Sequence, residues 1–206
     1  GQLFGALGNG RYLEYAQDIL GSGRHLLAVI NDVLDLSKSE SGRMTLEARP
    51  QDLRDVLADC IPMVREQCAG AGLVLKVGGL DRPLPVSGDS AKLRQIFLNL
   101  LSNAIKFTEP GGQVSLHADQ AADEIAVTIA DTGIGMDPED LKIAFEPFGQ
   151  VDSRLERRYE GTGLGLPLTK ALIDLHGGSF RIDSARGLGT KVTVCFAKRQ
   201  DLAEAV

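Results

Sequence analysis

The stretch NLLSNAIKFT at residues 99–108 is the second half of a helix predicted over residues 90–107. Asn99, Asn103 and Lys106 are four and then three residues apart, so they share one face of that helix. Amide oxygens suit Mg²⁺, and an ammonium group neutralises phosphate. Taken alone, the pattern favours a solvated polar stripe.

The stretch DTGIGM at residues 131–136 follows a predicted strand at residues 124–130 whose apolar residues alternate. Asp131 therefore lies at the end of the strand, where its carboxylate can accept a hydrogen bond from an exocyclic amine such as adenine N6. Gly133 and Gly135 lack a Cβ and let the backbone approach a flat ring. A simple Asp-Gly turn explains the same residues equally well.

The stretch GTGLGL at residues 161–166 places three alternating glycines at the start of a predicted helix. Free N–H groups and the positive end of a helix dipole can bind phosphate oxygens. The third glycine is one residue too early for a Rossmann fingerprint, and the charged residues 154–159 are unlike a core strand. No GxxxxGK[ST] motif occurs, which excludes a P-loop. GxGxG is weak evidence alone, and its position after the other two stretches strengthens it.

A long loop with FEPFGQ at residues 145–150 precedes the glycines, and it continues through Arg154, Arg157 and Arg158. Loops of this length in compact domains are usually functional or disordered. Its two phenylalanines can anchor a flap whose arginines reach phosphates. A solvated charged loop is the alternative, and it suits Arg154 and Arg157 better than Arg158.

Composition describes an ordinary globular protein of 206 residues with 43% hydrophobic residues and a net charge of −6. The acidic balance counts against nucleic acid as a partner. No apolar run approaches the roughly 20 residues of a membrane helix, and no signal peptide is visible. Cys60, Cys68 and Cys195 lack CxxC spacing, which indicates reduced core thiols and a cytoplasmic location.

We divide the chain into residues 1–43, 44–198 and a polar tail at 199–206. The first part is a loop at residues 1–10 and a long helix at residues 11–40. Apolar and small residues recur along this helix at the 3.5-residue period of a helical bundle: Leu13, Ala16, Leu20, Gly23, Leu27, Ile30 and Leu34. This seam must be exposed, disordered or paired with another copy. Since the chain begins at Gly1 without methionine, we expect it to be part of a longer protein.

The second part has the pattern of an α/β domain. Helices are predicted at residues 52–69, with a kink or break at Pro62, at 90–107 behind a cap at Asp89 or Ser90, and at 163–176. Strands are predicted at residues 44–48, 73–77, 113–118, 124–130, 179–183 and 191–197. Residues 81–88 are expected to be a connection, and residues 131–159 a loop.

Together the four stretches, NLLSNAIKFT, DTGIGM, FEPFGQ and GTGLGL, resemble the N, G1, F and G2 boxes of sensor histidine kinases. That family shares its ATP-binding fold with gyrase, Hsp90 and MutL. The resemblance implies an α/β (α+β) two-layer sandwich of the Bergerat type, with a mixed sheet, helices on one face and a long bundle helix before it. Residues 22–44 resemble the second helix of the dimerisation hairpin, and residues 4–19 resemble cell-cycle kinases of the PleC and DivJ type.

The resemblance implies ATP and Mg²⁺ as ligands. Asn103 would ligate Mg²⁺, Lys106 would meet phosphate, Asp131 would take adenine N6, the glycines would wrap the phosphates, and Thr190 would belong to a further turn beside the nucleotide. The complete set of nucleotide-binding candidates is Asn99, Asn103, Lys106, Phe107, Asp131, Gly133, Ile134, Gly135, Met136, Phe148, Arg158, Gly161, Thr162, Gly163, Leu164, Gly165, Leu166 and Thr190.

The family's phosphoacceptor motif is absent, and we interpret His25, His117 and His176 as structural. No residue is therefore predicted to be catalytic. The chain is expected to be the ATP-binding module of a histidine kinase, with a response-regulator receiver domain and a second copy as partners of the parent protein. One alternative is a non-catalytic signalling scaffold that retains ATP binding. The other, an ATPase of the gyrase type, is disfavoured because Asn99 stands where those enzymes carry a glutamate.

Overall fold

The computed structural model describes residues 10–149 and 162–199. The described helices are α1 (Gly10–Glu40), α2 (Leu53–Gly70), α3 (Ser90–Lys106), α4 (Pro138–Ala144) and α5 (Gly165–Leu175). The described strands are β1 (Arg49–Asp52), β2 (Val74–Gly78), β3 (Pro85–Gly88), β4 (Gln113–Gln120), β5 (Glu124–Asp131), β6 (Ser179–Ala185) and β7 (Gly189–Ala197).

Five strands form one mixed sheet in the order β2-β4-β5-β7-β6. β2 runs parallel to β4, and the other neighbours are antiparallel. β5 lies in the centre, and its alternating Ile125, Val127 and Ile129 are buried. These side chains join those of α2, α3 and α5 in one apolar core. The mixed sheet covered by helices confirms the predicted fold class.

The first predicted strand is wrong. Residues 44–48 form no strand, and β1 starts at Arg49 instead. Met44 is buried in the core as a single anchor, so its apolar character reflects packing rather than sheet pairing. The partner of β1 is β3, which lies inside the segment 81–88 that we expected to be a connection. Pro85 is the first residue of β3, a position that tolerates proline in a strand.

Pro62 does not interrupt its helix. α2 continues from Leu53 to Gly70 in one piece, with Asp52 as the N-cap, whose carboxylate accepts from the N–H of Arg54. Pro62 and Ala58, whose carbonyl loses its usual donor, are both exposed. Water can hydrate that carbonyl, which removes most of the reason for a break.

The loop predicted after Asp131 contains a short helix, α4. Its N-cap is Asp137, whose Oδ1 accepts from the N–H groups of Glu139 and Asp140, and Pro138 occupies the first turn. Aspartate followed by proline is a known signal for a helix start. Residues 150–159 of that predicted loop lie outside the described residues.

The long helix predicted at residues 11–40 is present as α1, 31 residues in length. Among the described residues, only the C-terminal part of α1 packs on other elements, against α5 and the start of α3. There Lys92 Nζ lies 2.6 Å from Asp35 Oδ2, and both side chains are mostly buried. The large apolar side chains of the predicted seam are exposed in this single chain: Leu13, Leu20, Leu27, Ile30 and Leu34. In the described residues, no helix is both long and apolar enough to cross a membrane.

Candidate functional site

The polar face of α3 meets the first turn of α5. The amide nitrogen of Asn99 lies 3.5 Å from the carbonyl oxygen of Gly165 and 3.4 Å from the hydroxyl of Thr169. A Cβ on Gly165 would lie 3.8 Å from Asn103 Nδ2. Both asparagines are half-buried, so this face is part of an interhelical surface and not only a solvated stripe.

Lys106 and Phe107 end the same helix. The ammonium of Lys106 lies 4.7 Å from the centre of the Phe107 ring, within the range of a cation–π interaction. The carbonyl oxygen of Phe107 accepts a hydrogen bond of 3.1 Å from the N–H of Ile134. A Cβ on Gly133 would overlap this carbonyl. The DTGIGM turn is therefore attached directly to the C-terminal end of α3.

Asp131 is half-buried at the end of β5. Its Oδ1 accepts from the N–H of Gly133 at 2.8 Å and from the N–H of Thr190 at 3.2 Å. Burial raises the pKa of this carboxyl above its ordinary value, and the two backbone donors oppose the rise. The two donors fix the carboxylate at the predicted position.

The β6–β7 hairpin lies against the DTGIGM turn. The N–H of Gly187 donates to the carbonyl of Ile134 at 2.6 Å, and the N–H of Met136 donates to Ser184 Oγ at 2.8 Å. Gly135 has a φ of +62°, and a Cβ there would overlap the Ala185 carbonyl. The structure shows that this glycine admits another part of the backbone, and its role in admitting a flat ligand stays a prediction.

The described part of the FEPFGQ segment, residues 145–149, contacts Gly163 of the second glycine stretch. Phe148 N–H donates to the Gly163 carbonyl at 3.2 Å, and a Cβ on Gly163 would lie 2.7 Å from the Phe148 carbonyl carbon. Phe148 itself adopts a φ of +63°, which is rare outside glycine, and its side chain is exposed. Among residues 162–166, Thr162 accepts from the N–H of Leu164 at 3.3 Å.

Leu164 is fully buried, so its side chain belongs to the core and any ligand contact from it involves the backbone. Leu166, which follows Gly165 in α5, is half-buried. Two further candidates, Arg158 and Gly161, lie outside the described residues. Every described candidate therefore lies on one continuous set of contacts that runs from α5 through α3 and the DTGIGM turn to the β6–β7 hairpin.

The sequence reasoning missed two polar residues in this region. Ser184 follows Phe180 and Ile182 at the two-residue period of β6, so a polar residue in that register was a readable signal. Thr169 is fully buried among the leucines of α5, four residues after Gly165, and its hydroxyl meets Asn99.

Two of the three histidines have partners that the structure describes. His176 Nε2 accepts from the N–H of Asp89 at 3.2 Å, while Nδ1 lies 2.7 Å from the Leu172 carbonyl. His117 pairs with Asp119 on the exposed side of β4, and His25 lies within α1. Burial raises the pKa of the Cys60 thiol to about 11, which makes it inert. Within the described part of the chain, no cluster of three or more His, Cys, Asp or Glu side chains is able to hold a metal ion.

A mixed sheet with this asparagine-bearing helix and these glycine turns defines a class of ATP-binding domains. The family described as "Histidine kinase-, DNA gyrase B-, and HSP90-like ATPase" matches residues 88–200, a little over half of the chain. The chain belongs to this family.

Relatives and a solved structure show which proteins of this family the chain resembles. The "Non-motile and phage-resistance protein" of Caulobacter vibrioides is 45% identical over 93% of this chain and 23% of its own length. The "Cell-division control histidine kinase PdhS" of Brucella anthropi is 38% identical over 98% of this chain and 20% of its own length. The crystal structure of full-length ShkA in complex with AMPPNP is 29% identical, with a TM-score of 0.79 over 95% of this chain and 41% of ShkA.

Within its family, the chain is therefore similar to the matching part of PdhS, a protein named as a histidine kinase. The chain spans about a fifth of the length of the curated relatives that it matches.

Proposed function

We propose that the chain is the catalytic module of a two-component sensor histidine kinase, and that it presents Mg-ATP to a histidine outside this chain. The phosphoryl group then passes to an aspartate of a response-regulator receiver domain. One observation carries the proposal: the amide face of α3 meets the first turn of α5, while the end of the same helix is joined to the turn that follows Asp131.

The phosphates lie, in this proposal, between α3 and α5. The N–H groups of Gly165 and Leu166 have no partners within α5 and face an anion favourably, whereas Pro167, the next residue, has no N–H. The amide oxygen of Asn103 is a ligand that Mg²⁺ accepts, with phosphate oxygens completing the set. Lys106 adds a positive charge at the end of α3. Magnesium, when bound, shields the phosphate charge.

The base lies, in this proposal, against Asp131, whose carboxylate accepts from the exocyclic amine of adenine. Phe107, Ile134 and Met136 are half-buried around the same turn and supply apolar surface. Thr190 binds Asp131 through its N–H and therefore stands beside the base. Phe148 and Thr162 are further candidates for contact with the nucleotide, as are Arg158 and Gly161, which lie outside the described residues.

Phosphoryl transfer requires little covalent chemistry from the protein, because positioning and charge neutralisation supply most of the catalysis. The module therefore needs no catalytic residue of its own. The acceptor histidine would come from a helix that pairs with α1, whose exposed apolar seam also suits a second copy of the chain. A cytoplasmic location follows from the need to reach ATP and a receiver domain.

The site is less suited to the hydrolysis of ATP by water than to the transfer of phosphate to a histidine. A water-activating base must accept a proton, and Asn99 carries an amide whose nitrogen already approaches Gly165 and Thr169. An amide does not accept a proton near neutral pH. The relatives that are named as histidine kinases also do not favour the gyrase-type alternative.

Calorimetry with Mg-ATP tests the binding part of this proposal. We expect the wild-type chain to bind, and Asp131→Asn to weaken binding by about tenfold or more through loss of a charge-assisted hydrogen bond. Asp119→Asn is the matched control, because Asp119 is an exposed aspartate near the other end of β4. Absence of binding to the wild type, or an equal effect of the two substitutions, would contradict the proposed site.

Transfer of labelled phosphate tests the kinase part. The chain is incubated with ATP and a separately supplied hairpin that carries the acceptor histidine. We expect label on the hairpin and none retained on the chain itself. Stable label on His25 would overturn the assignment of the acceptor to another segment.

A further inference from the structure

The hydroxyl of Ser184 joins three groups beside Asp131. It lies 2.8 Å from the Met136 nitrogen, 3.1 Å from the Gly189 oxygen and 2.8 Å from the hydroxyl of Thr190. Ser184 is half-buried at the end of β6, 48 residues from Met136 in sequence. It therefore connects the DTGIGM turn to the β6–β7 hairpin.

The number of protons decides how these groups are arranged. A serine hydroxyl has one proton and two lone pairs. One lone pair accepts the N–H of Met136. If the Ser184 proton goes to the Gly189 carbonyl, the second lone pair accepts the proton of Thr190, and three hydrogen bonds form. If the Ser184 proton goes to Thr190 instead, only two form, so the first arrangement is favoured.

In the favoured arrangement the Thr190 hydroxyl donates its proton to Ser184. Towards any other group it can therefore only accept a hydrogen bond. The backbone donors around it are also engaged. Gly133 and Thr190 donate to Asp131, Ile134 donates to Phe107 and Met136 donates to Ser184. Of these groups, the ones that remain available to a ligand beside the Asp131 carboxylate can accept hydrogen bonds, and none of them can donate one.

We propose that Ser184 is a positioning residue that sets base specificity, by orienting the Thr190 hydroxyl as an acceptor and by occupying the Met136 N–H. The inference rests on the proposed function, since it takes Asp131 to mark the base. A purine with an exocyclic amine finds acceptors at this position. A purine with a carbonyl at the same carbon directs that carbonyl oxygen at the oxygens of Asp131 and Thr190, and none of the engaged protein N–H groups named above is left to donate to it, which is unfavourable.

The test compares ATP with inosine triphosphate, in which a carbonyl replaces the amine and N1 carries a proton. We expect the wild type to prefer ATP. In Ser184→Ala, Thr190 and the Met136 N–H become free to donate, so the ratio of the two affinities falls by about tenfold. Ser184→Thr, which keeps a hydroxyl, restores the ratio. Ser115→Ala, which removes a half-buried hydroxyl on β4, is the control and leaves the ratio unchanged.

The outcomes separate this inference from the proposed function. Failure of the wild type to bind ATP contradicts the proposed function itself. An unchanged ratio in Ser184→Ala, or equal losses for both nucleotides, assigns Ser184 a purely structural role and overturns the inference. Circular dichroism checks that the variant is folded. If Ser184→Ala does not fold, Thr190→Val removes the oriented hydroxyl directly. An unchanged ratio of the ATP and inosine triphosphate affinities in Thr190→Val then refutes the inference.

Discussion

Replacement of Gly135 by alanine tests the fit between the DTGIGM turn and the β6–β7 hairpin. Gly135 has a φ of +62°, and a Cβ there would overlap the Ala185 carbonyl oxygen. Gly177 has a φ of +67°, yet a Cβ there would have nothing within 4 Å. The two substitutions share the cost of a left-handed backbone and differ in the overlap.

The magnitude follows from the contacts. A left-handed backbone costs a non-glycine residue about 1–2 kcal/mol, which is the loss of unfolding free energy expected for Gly177→Ala. At Gly135 the hairpin must also move by on the order of 1 Å to reach contact distance. This movement disrupts the bonds from Gly187 to Ile134 and from Met136 to Ser184, each worth about 1 kcal/mol. We therefore expect Gly135→Ala to lose about 3–4 kcal/mol.

Urea unfolding followed by circular dichroism measures both losses, and calorimetry measures ATP affinity for each folded variant. Gly177 lies far from the proposed site, at the end of α5, so Gly177→Ala should bind ATP like the wild type. Gly135→Ala should bind weakly or not at all. Equal losses of stability in the two variants would refute the reasoning, because the overlap would then have no energetic consequence.

Three further predictions concern charge and association. Burial raises the pKa of Asp131 in the folded state. The stability that the protonated carboxyl contributes is therefore fully present below the pKa of Asp131 in the unfolded chain, and it is lost as the pH rises through the pKa of Asp131 in the folded protein. Asp131→Asn should therefore be more stable than the wild type in urea at pH 7, and this advantage should vanish by about pH 3; an advantage independent of pH would contradict it. Lys92→Ala leaves the mostly buried Asp35 unpaired and should increase hydrogen exchange in the last turns of α1, whereas unchanged exchange would show that the pair does not anchor the helix. The exposed seam predicts concentration-dependent dimerisation, measurable by light scattering and weakened by Leu27→Glu or Ile30→Glu; a monomer at high concentration would count against it.

The features that sequence predicted best depend on neighbours along the chain. The polar face of α3 follows from a spacing of three and four residues, and Asp89 caps that helix through its own carboxylate. The alternating residues of β5 indicated a central strand, which the structure contains. Local geometry alone determines such patterns, so a single sequence is enough to read them.

The features that sequence missed depend on distant partners. β1 pairs with a strand that begins at Pro85, a residue that argued against any strand there. Ser184 acquires its significance from Met136, 48 residues earlier. The exposure of Pro62, which lets α2 continue, depends on which face of the helix meets the core. The position of Ser184 in the alternation of β6 was readable from the sequence, but the partners of these residues leave no periodic trace in it.

Within the part of the chain that the structure describes, α1 is attached to other elements only near its C-terminal end, so a small rotation there moves the N-terminal end by a larger distance. From Asp35 to Gly10 the helix extends about 38 Å at 1.5 Å per residue. A rotation of about 10° at the Asp35–Lys92 pair would move the far end by about 7 Å, a little more than one helical pitch. A modest rearrangement where α1 touches α3 and α5 is thereby magnified into a displacement large enough to change which residues face an adjoining helix.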